Sequence, residues 1–206
     1  MSKYNYNRFT KSNNQDINVG WIDETIYPEL YILIKNKELI INELKGLIDI
    51  PNWQQYDSIT KTPSCILNNK KCLLYNLIDT TSLLPESEKC PNTIDLLKKI
   101  GIENLINVKF LCIESYGTTH RKNLVNTSFY RCHIPLIIPY GNSFIEVEGD
   151  KKIWASKPLV FDPTFFHDLW NYTFEPLFIL VIDIKKRKKI YPPRKITLIN
   201  KKKCNQ

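Results

Sequence analysis

The stretch TSFYRCHIPLIIPYGNSFIEVE, residues 127–148, holds two runs rich in β-branched and aromatic residues on either side of Pro139-Tyr140-Gly141-Asn142. Such runs mark strands, and a Pro/Gly/Asn cluster marks the turn between them. The pattern repeats outward from it, with NVKFLCIES (107–115) before, and PLVFD (158–162), HDLWNY (167–172) and PLFILVIDI (176–184) after. None of these segments is long enough to supply the helix of a βαβ crossover. The C-terminal half therefore reads as mainly β, a sandwich or a jelly-roll barrel.

Upstream the periodicity changes. In YPELYILIKNKELIINELKGLIDI (27–50), Leu39, Ile40, Leu44, Leu47 and Ile48 recur at helical spacing. CPNTIDLLKKIG (90–101) predicts a second helix, with Asn92 as the cap, Asp95 near the positive end and Gly101 as the stop. Residues 51–89 read as loop. The expected organisation is a polar leader (1–20), one domain (21–184) and a basic tail (185–206). Within the domain, a helical part over about 25–104 precedes a β-barrel over about 105–184.

The 206 residues carry 29 Lys+Arg against 21 Asp+Glu, but residues 185–206 hold ten of the basic residues and no acid. That leaves the body with 19 basic and 21 acidic residues. The basic character belongs to the tail, where it offers a contact for nucleic acid or an anionic surface, although a basic terminus is more often a solvated extension. Cys65, Cys72, Cys90, Cys112, Cys132 and Cys204 form no CxxC pair, so reduced thiols are expected, with Cys112 and Cys132 acting as small buried hydrophobes. No stretch approaches the roughly 20 apolar residues that span a bilayer, and the N-terminus lacks an apolar leader. The expectation is a cytoplasmic protein without a membrane partner.

The chain has three histidines, His120, His133 and His167, all in or beside the β-rich half. Imidazole is the commonest transition-metal ligand, and histidines on separate strands of a jelly roll can converge on its interior. No HxH, HxD or HExxH spacing is present, so composition alone is equally served by scattered, partly buried rings.

TTHRKNLVNTSFYRCHIPLIIP (118–139) resembles the first signature of the aspartyl/asparaginyl β-hydroxylases, a His followed by Asn and then by R-x-H on the next strand. KIWASKPLVFDPTFFHDLWNYT (152–173) resembles the second: a Trp, a short turn, an apolar strand ending in Phe-Asp, then His-x-x-Trp. CPNTIDLLKKIGIENLINVKFLCIESYGTTH (90–120) resembles the helix and strand that lead to the first His. The resemblance covers 90–184, and 25–60 only loosely. It implies a double-stranded β-helix core of the jelly-roll, cupin-like kind, behind N-terminal helices.

The resemblance also implies an Fe(II)- and 2-oxoglutarate-dependent dioxygenase. His120 and His167 match the two iron ligands, and Arg131 and His133 match the R-x-H pair that helps hold 2-oxoglutarate. No catalytic residue beyond the metal ligands is implied. Dioxygen and a protein or peptide bearing Asp or Asn, hydroxylated at the β-carbon, would be the partners. Two positions depart from the family, Pro163 replacing an Asp and Leu177 replacing the Arg for the distal carboxylate of 2-oxoglutarate, while Lys122 stands where most related oxygenases, but characteristically not this family, carry a ligating carboxylate. A buried carboxylate without its cation costs about 3–5 kcal/mol, so another cation is needed; Lys109, Arg121 and Lys122 are the nearest in sequence. Trp154 and Trp170 match family positions and read as packing residues. The alternatives are a non-catalytic relative whose barrel serves as a metal-binding or protein-interaction module, and, from the tail alone, a nucleic-acid binder.

Overall fold

A computed structural model of the chain describes residues 20–55, 72–119, 123–125 and 127–187. In chain order the elements are β1 (Trp21–Ile22), α1 (Tyr31–Lys35), α2 (Lys37–Lys45), β2 (Gln54–Gln55), β3 (Cys72–Asp79), β4 (Ser82–Leu83), α3 (Pro91–Ile100) and β5 (Leu105–Ile113). There follow β6 (Phe129–Ile137), β7 (Ser143–Val147), β8 (Asp150–Ile153), β9 (Leu159–Phe161), β10 (His167–Asn171) and β11 (Leu177–Lys185). Eight strands form one sheet in the order β1-β9-β6-β11-β5-β3-β2, with β4 on the edge of β3; β10-β7-β8 form a second sheet.

The pleat divides the protein into two apolar layers. Along β11, Leu177, Ile179 and Val181 join an inner core between the sheets with Leu111, Ile113, Ile145, Trp154, Phe161 and Leu169. The alternate residues Phe178, Leu180, Ile182 and Ile184 face the helices, packing with Leu33, Ile40, Leu44 and Leu97. Period-two alternation makes one strand serve both layers, and this is why PLFILVIDI is apolar at almost every position. The result is the jelly-roll, double-stranded β-helix expected from the sequence, with helices on one outer face.

Several boundaries differ from expectation. The first helix is broken: turns at Glu24–Ile26 and Pro28–Leu30 precede α1, and Asn36 separates α1 from α2 with its side chain donating to the Ile32 carbonyl at 2.8 Å. The region read as loop contains β3, whose CLLYNLID run was hidden among polar neighbours and acquires its strand identity by pairing with β5. The DKKI run forms β8, folded back on β7 through Glu148 and Gly149 at φ 46° and 84°. Positive φ at both central residues is the turn whose twist matches a hairpin. Asn92 does not cap α3; Glu43 of α2 does so from outside, its carboxylate accepting the backbone N–H of Asn92 at 2.7 Å and of Thr93 at 2.9 Å. Gly101 ends α3 as expected, at φ 95°.

The leader other than Gly20, and residues 188–206 of the tail, lie outside the described residues. Lys185 closes β11, one residue beyond the expected boundary, and the next two residues are tied down by ion pairs, Lys186 with Asp162 at 2.9 Å and Arg187 with Glu29. Cys72, Cys90, Cys112 and Cys132 are buried free thiols; burial pushes the first three up to about 12, and Cys132 higher still. Among the described residues no helix is long and apolar enough to cross a membrane.

Candidate active site in the barrel

His167 opens β10 opposite Val147 and is almost fully buried. The turn before it is held at several points. Asp162 Oδ1 accepts the Thr164 N–H at 3.0 Å and its hydroxyl at 2.8 Å, the Asx arrangement expected of Asp at a turn. Phe166 exchanges two bonds with Glu148, its N–H donating to Oε1 at 2.8 Å while its carbonyl accepts the Glu148 N–H at 2.9 Å. Gly20, at φ 85°, passes so close that a Cβ would lie 2.7 Å from Val147, and its carbonyl accepts the Asp162 N–H at 2.8 Å. This scaffold sets the Phe165 carbonyl 2.9 Å from Nδ1 of His167. A carbonyl only accepts, so Nδ1 carries the hydrogen and, in the neutral ring, Nε2 carries the lone pair. That is the tautomer a metal ligand needs, and a backbone carbonyl is a usual means of fixing it.

The chain entering the first predicted ligand is bound to the same strand. Thr118 bridges Trp170, the Thr119 N–H donates to the Leu169 carbonyl at 3.0 Å, and Leu169 N–H returns a bond to Thr119 Oγ1 at 2.8 Å. On the far side, Leu124 N–H donates to the Pro163 carbonyl at 2.8 Å. His120, Arg121 and Lys122 themselves lie outside the described residues. Among the described residues no three His, Cys, Asp or Glu side chains gather as a metal site.

Phe161 joins the remaining rings. Its centroid lies 5.0 Å from that of His167, 5.1 Å from that of His133 and 5.8 Å from that of Trp21, and His133 in turn lies 5.9 Å from Trp154. The structure therefore brings His167 and His133 to the same inner-core phenylalanine. Arg131, two residues from His133 on β6, is nearly buried and gives Nε and Nη2 to Asp183 at 2.7 and 2.9 Å. Asn107 adds a third bond to Asp183 at 3.2 Å. Arg131 is thus held through Nε and Nη2. Asp183 was not singled out from sequence, yet it is the lone acid in the apolar run PLFILVIDI, and a lone charge in such a run is the signal that marked it.

The strand register divides the barrel interior into a polar and an apolar end. Arg131 lies opposite both Phe161 and Asp183, and His133 lies opposite Val181, which lies opposite Lys109. Leu177 lies opposite Ile113 and is enclosed in the inner core with Ile145 and Ile179, each fully buried. The cation expected beside Leu177 is therefore not Lys109, which lies four residues from Ile113 along β5, roughly 13 Å. Trp154 and Trp170 pack as expected, Trp170 in a three-ring cluster with Phe144 and Tyr172.

A jelly-roll barrel with histidines packed on its inner core and helices on one outer face is a fold of the cupin-like class. The chain belongs to the aspartyl/asparaginyl β-hydroxylase family, whose sequence model matches residues 35–187. It is similar to the ornithine lipid ester-linked acyl 2-hydroxylase of Rhizobium tropici, 25% identical over 173 residues, covering 80% of this chain and 59% of that protein. The chain thus spans well under two thirds of that relative. Among solved structures it is similar to an oxidoreductase of the 2OG-Fe(II) oxygenase family from Burkholderia pseudomallei (TM-score 0.48, 11% identity, 71% of this chain and 79% of that one). It is also similar to a cupin 2 conserved barrel domain protein from Rhodopseudomonas palustris (TM-score 0.40, 8% identity, 66% and 73%).

Proposed function

We propose that this protein is an Fe(II)- and 2-oxoglutarate-dependent dioxygenase that hydroxylates a carbon next to a carbonyl. The observation that carries the reading is the 2.9 Å contact between His167 Nδ1 and the Phe165 carbonyl, which leaves Nε2 as the ligating atom. His120 and His167 would hold the iron, which when bound supplies the activation of dioxygen for C–H hydroxylation. The protein's own part is to fix the His167 tautomer, enclose the site in the apolar inner core so that water is excluded, and orient the oxo acid with Arg131 and His133. The substrate class follows from shared chemistry. The β-carbon of Asp or Asn lies beside the side-chain carbonyl, and position 2 of an acyl chain lies beside the ester carbonyl, so family and relative agree on the carbon that is oxidised. A protein or peptide side chain remains the leading substrate.

The test is calorimetric titration of Mn(II) or Fe(II) into the wild type and His167→Ala. The variant is expected to bind roughly a hundredfold more weakly, the order seen when a ligand shell is disrupted. Equal affinities would end the metal reading. A second reading, a metal-binding relative without turnover, is favoured by the apolar enclosure of Leu177. It is distinguished by intact metal affinity with no 2-oxoglutarate-dependent consumption of dioxygen on either class of substrate.

A further inference from the structure

The small sheet ends at β8, and no further strand pairs with it among the described residues. The other edges are shorter or covered: β1, β2 and β4 are two residues each, and β10 is flanked by Thr118 and Thr119. The hairpin turn fixes which groups β8 presents outward. Glu148 and Gly149 form a two-residue connection at positive φ, so Val147 and Asp150, which flank it, are the hydrogen-bonded pair that closes the hairpin. Bonded and unbonded pairs then alternate along the ladder. Lys152 turns its N–H and carbonyl to Ile145, whereas Lys151 and Ile153 turn theirs away from β7. These are the groups to which an added strand would bond.

The side chains of β8 alternate between the two faces of the sheet. Lys151 lies on the outer face, its Nζ 4.5 Å from the Phe144 ring centroid and 3.5 Å from Glu146, with the side chain 58% exposed. Lys152 lies on the inner face, its Nζ 4.1 Å from the Trp21 ring centroid and without an ion pair among the described residues. Ile153 is a large apolar side chain left 74% exposed at the edge. Another copy of this strand is a poor occupant. Antiparallel pairing of β8 with itself about its centre sets lysine against lysine, and edge lysines deter such self-pairing. An extended acidic partner meets the opposite balance: each lysine gains an acid, and the open backbone groups gain a ladder.

We propose that β8 is a docking edge for an extended acidic segment of a protein substrate, which joins the small sheet as a further strand. Running antiparallel, the segment carries in order an apolar residue opposite Ile153, acids opposite Lys152 and Lys151, and no negative charge opposite Asp150. His167, Val147 and Asp150 lie in one row across β10, β7 and β8. A strand added to that row lies three spacings from His167, roughly 14 Å. The docked segment therefore flanks the residue to be oxidised and supplies affinity without reaching the metal. The inference rests on the reading that the site acts on a protein side chain, and it names the feature by which that protein is recognised.

The probe is a fluorescein-labelled peptide with Val-Glu-Glu-Thr at its centre, titrated by fluorescence anisotropy into the whole, metal-free chain beside a control with Val-Lys-Lys-Thr. The acidic peptide should bind roughly tenfold or more tightly, the scale of one charge-assisted hydrogen bond. Lys151→Glu/Lys152→Glu should invert that preference. Ile153→Pro removes an outward N–H at an edge, a place where a sheet tolerates proline, and should weaken the acidic peptide further than Ile153→Ala does. Equal binding of the two peptides, binding of neither, or an unchanged preference in the double variant overturns the docking edge. Equal loss in Ile153→Pro and Ile153→Ala overturns strand addition as its mode. Because neither metal nor oxo acid is present, the outcome is separate from the oxygenase reading. Charge-inverting binding by a protein that never consumes dioxygen keeps the docking edge and ends that reading, whereas Mn(II) binding through His167 without peptide binding does the reverse.

Discussion

Arg131 and Asp183 share two hydrogen bonds at 2.7 and 2.9 Å in a site where both side chains are nearly buried. Such a pair contributes modestly to net stability, but removal of one partner strands the other charge in a medium that solvates it poorly. Asp183→Ala is expected to cost about 3–5 kcal/mol in urea denaturation. The double variant Arg131→Met/Asp183→Leu should recover most of that loss, since both charges leave together. A single variant no worse than an ordinary surface change would mean that water or another acid already satisfies Arg131. Arg131 and His133 were found in the sequence through a motif, and the motif alone could not show that Arg131 spends two of its donors on a residue 52 positions away.

At the scale of elements, the loop from β9 to β10 is anchored to the end of β11 through Asp162 and Lys186. Burial alone would raise the Asp162 carboxyl, but bonds from Lys186 and Thr164 outweigh it and hold the group below its ordinary value. A carboxyl whose folded value is depressed stabilises the protein above its unfolded value, near 3.9, and the contribution disappears as pH falls through the folded value. Asp162→Asn should therefore lower the melting temperature at pH 7 and flatten its decline below about pH 4. Parallel curves for the two proteins would show that the pair adds nothing. The same loop presents the Phe165 carbonyl to His167, so on the proposed reading loosening it should also weaken metal binding.

For the whole molecule, the two apolar layers on either face of the large sheet bury Cys72, Cys112 and Cys132, and Cys90 lies where α3 meets the sheet. Thiols held at about 12 at Cys72, Cys90 and Cys112 have too little thiolate for reaction near neutrality. These groups should be inert to a disulfide reagent at pH 8 in the native protein and react together on unfolding. The linkage has the opposite sign to that of Asp162. Because the unfolded thiols ionise near 8.5 and the folded ones do not, stability is expected to fall as pH rises above that value. Rapid native reaction of one of the four would show a local opening of its layer.

The periodicity of the chain by itself determined the class of fold, since strands of alternating or continuous apolar character separated by Pro/Gly turns permit little else, and it placed β5, β6, β7, β9, β10 and β11 within a few residues. His120, His167, His133 and Arg131 were singled out by the family resemblance, carried by local motifs, and not by periodicity. Tertiary structure alone decided the strand identity of CLLYNLID, the capping of α3 by Glu43, the pairing of Arg131 with Asp183, and the enclosure of Leu177 away from Lys109. Each of these depends on register between strands or on contacts between elements distant in sequence, where the energy comes from partners that no local pattern specifies.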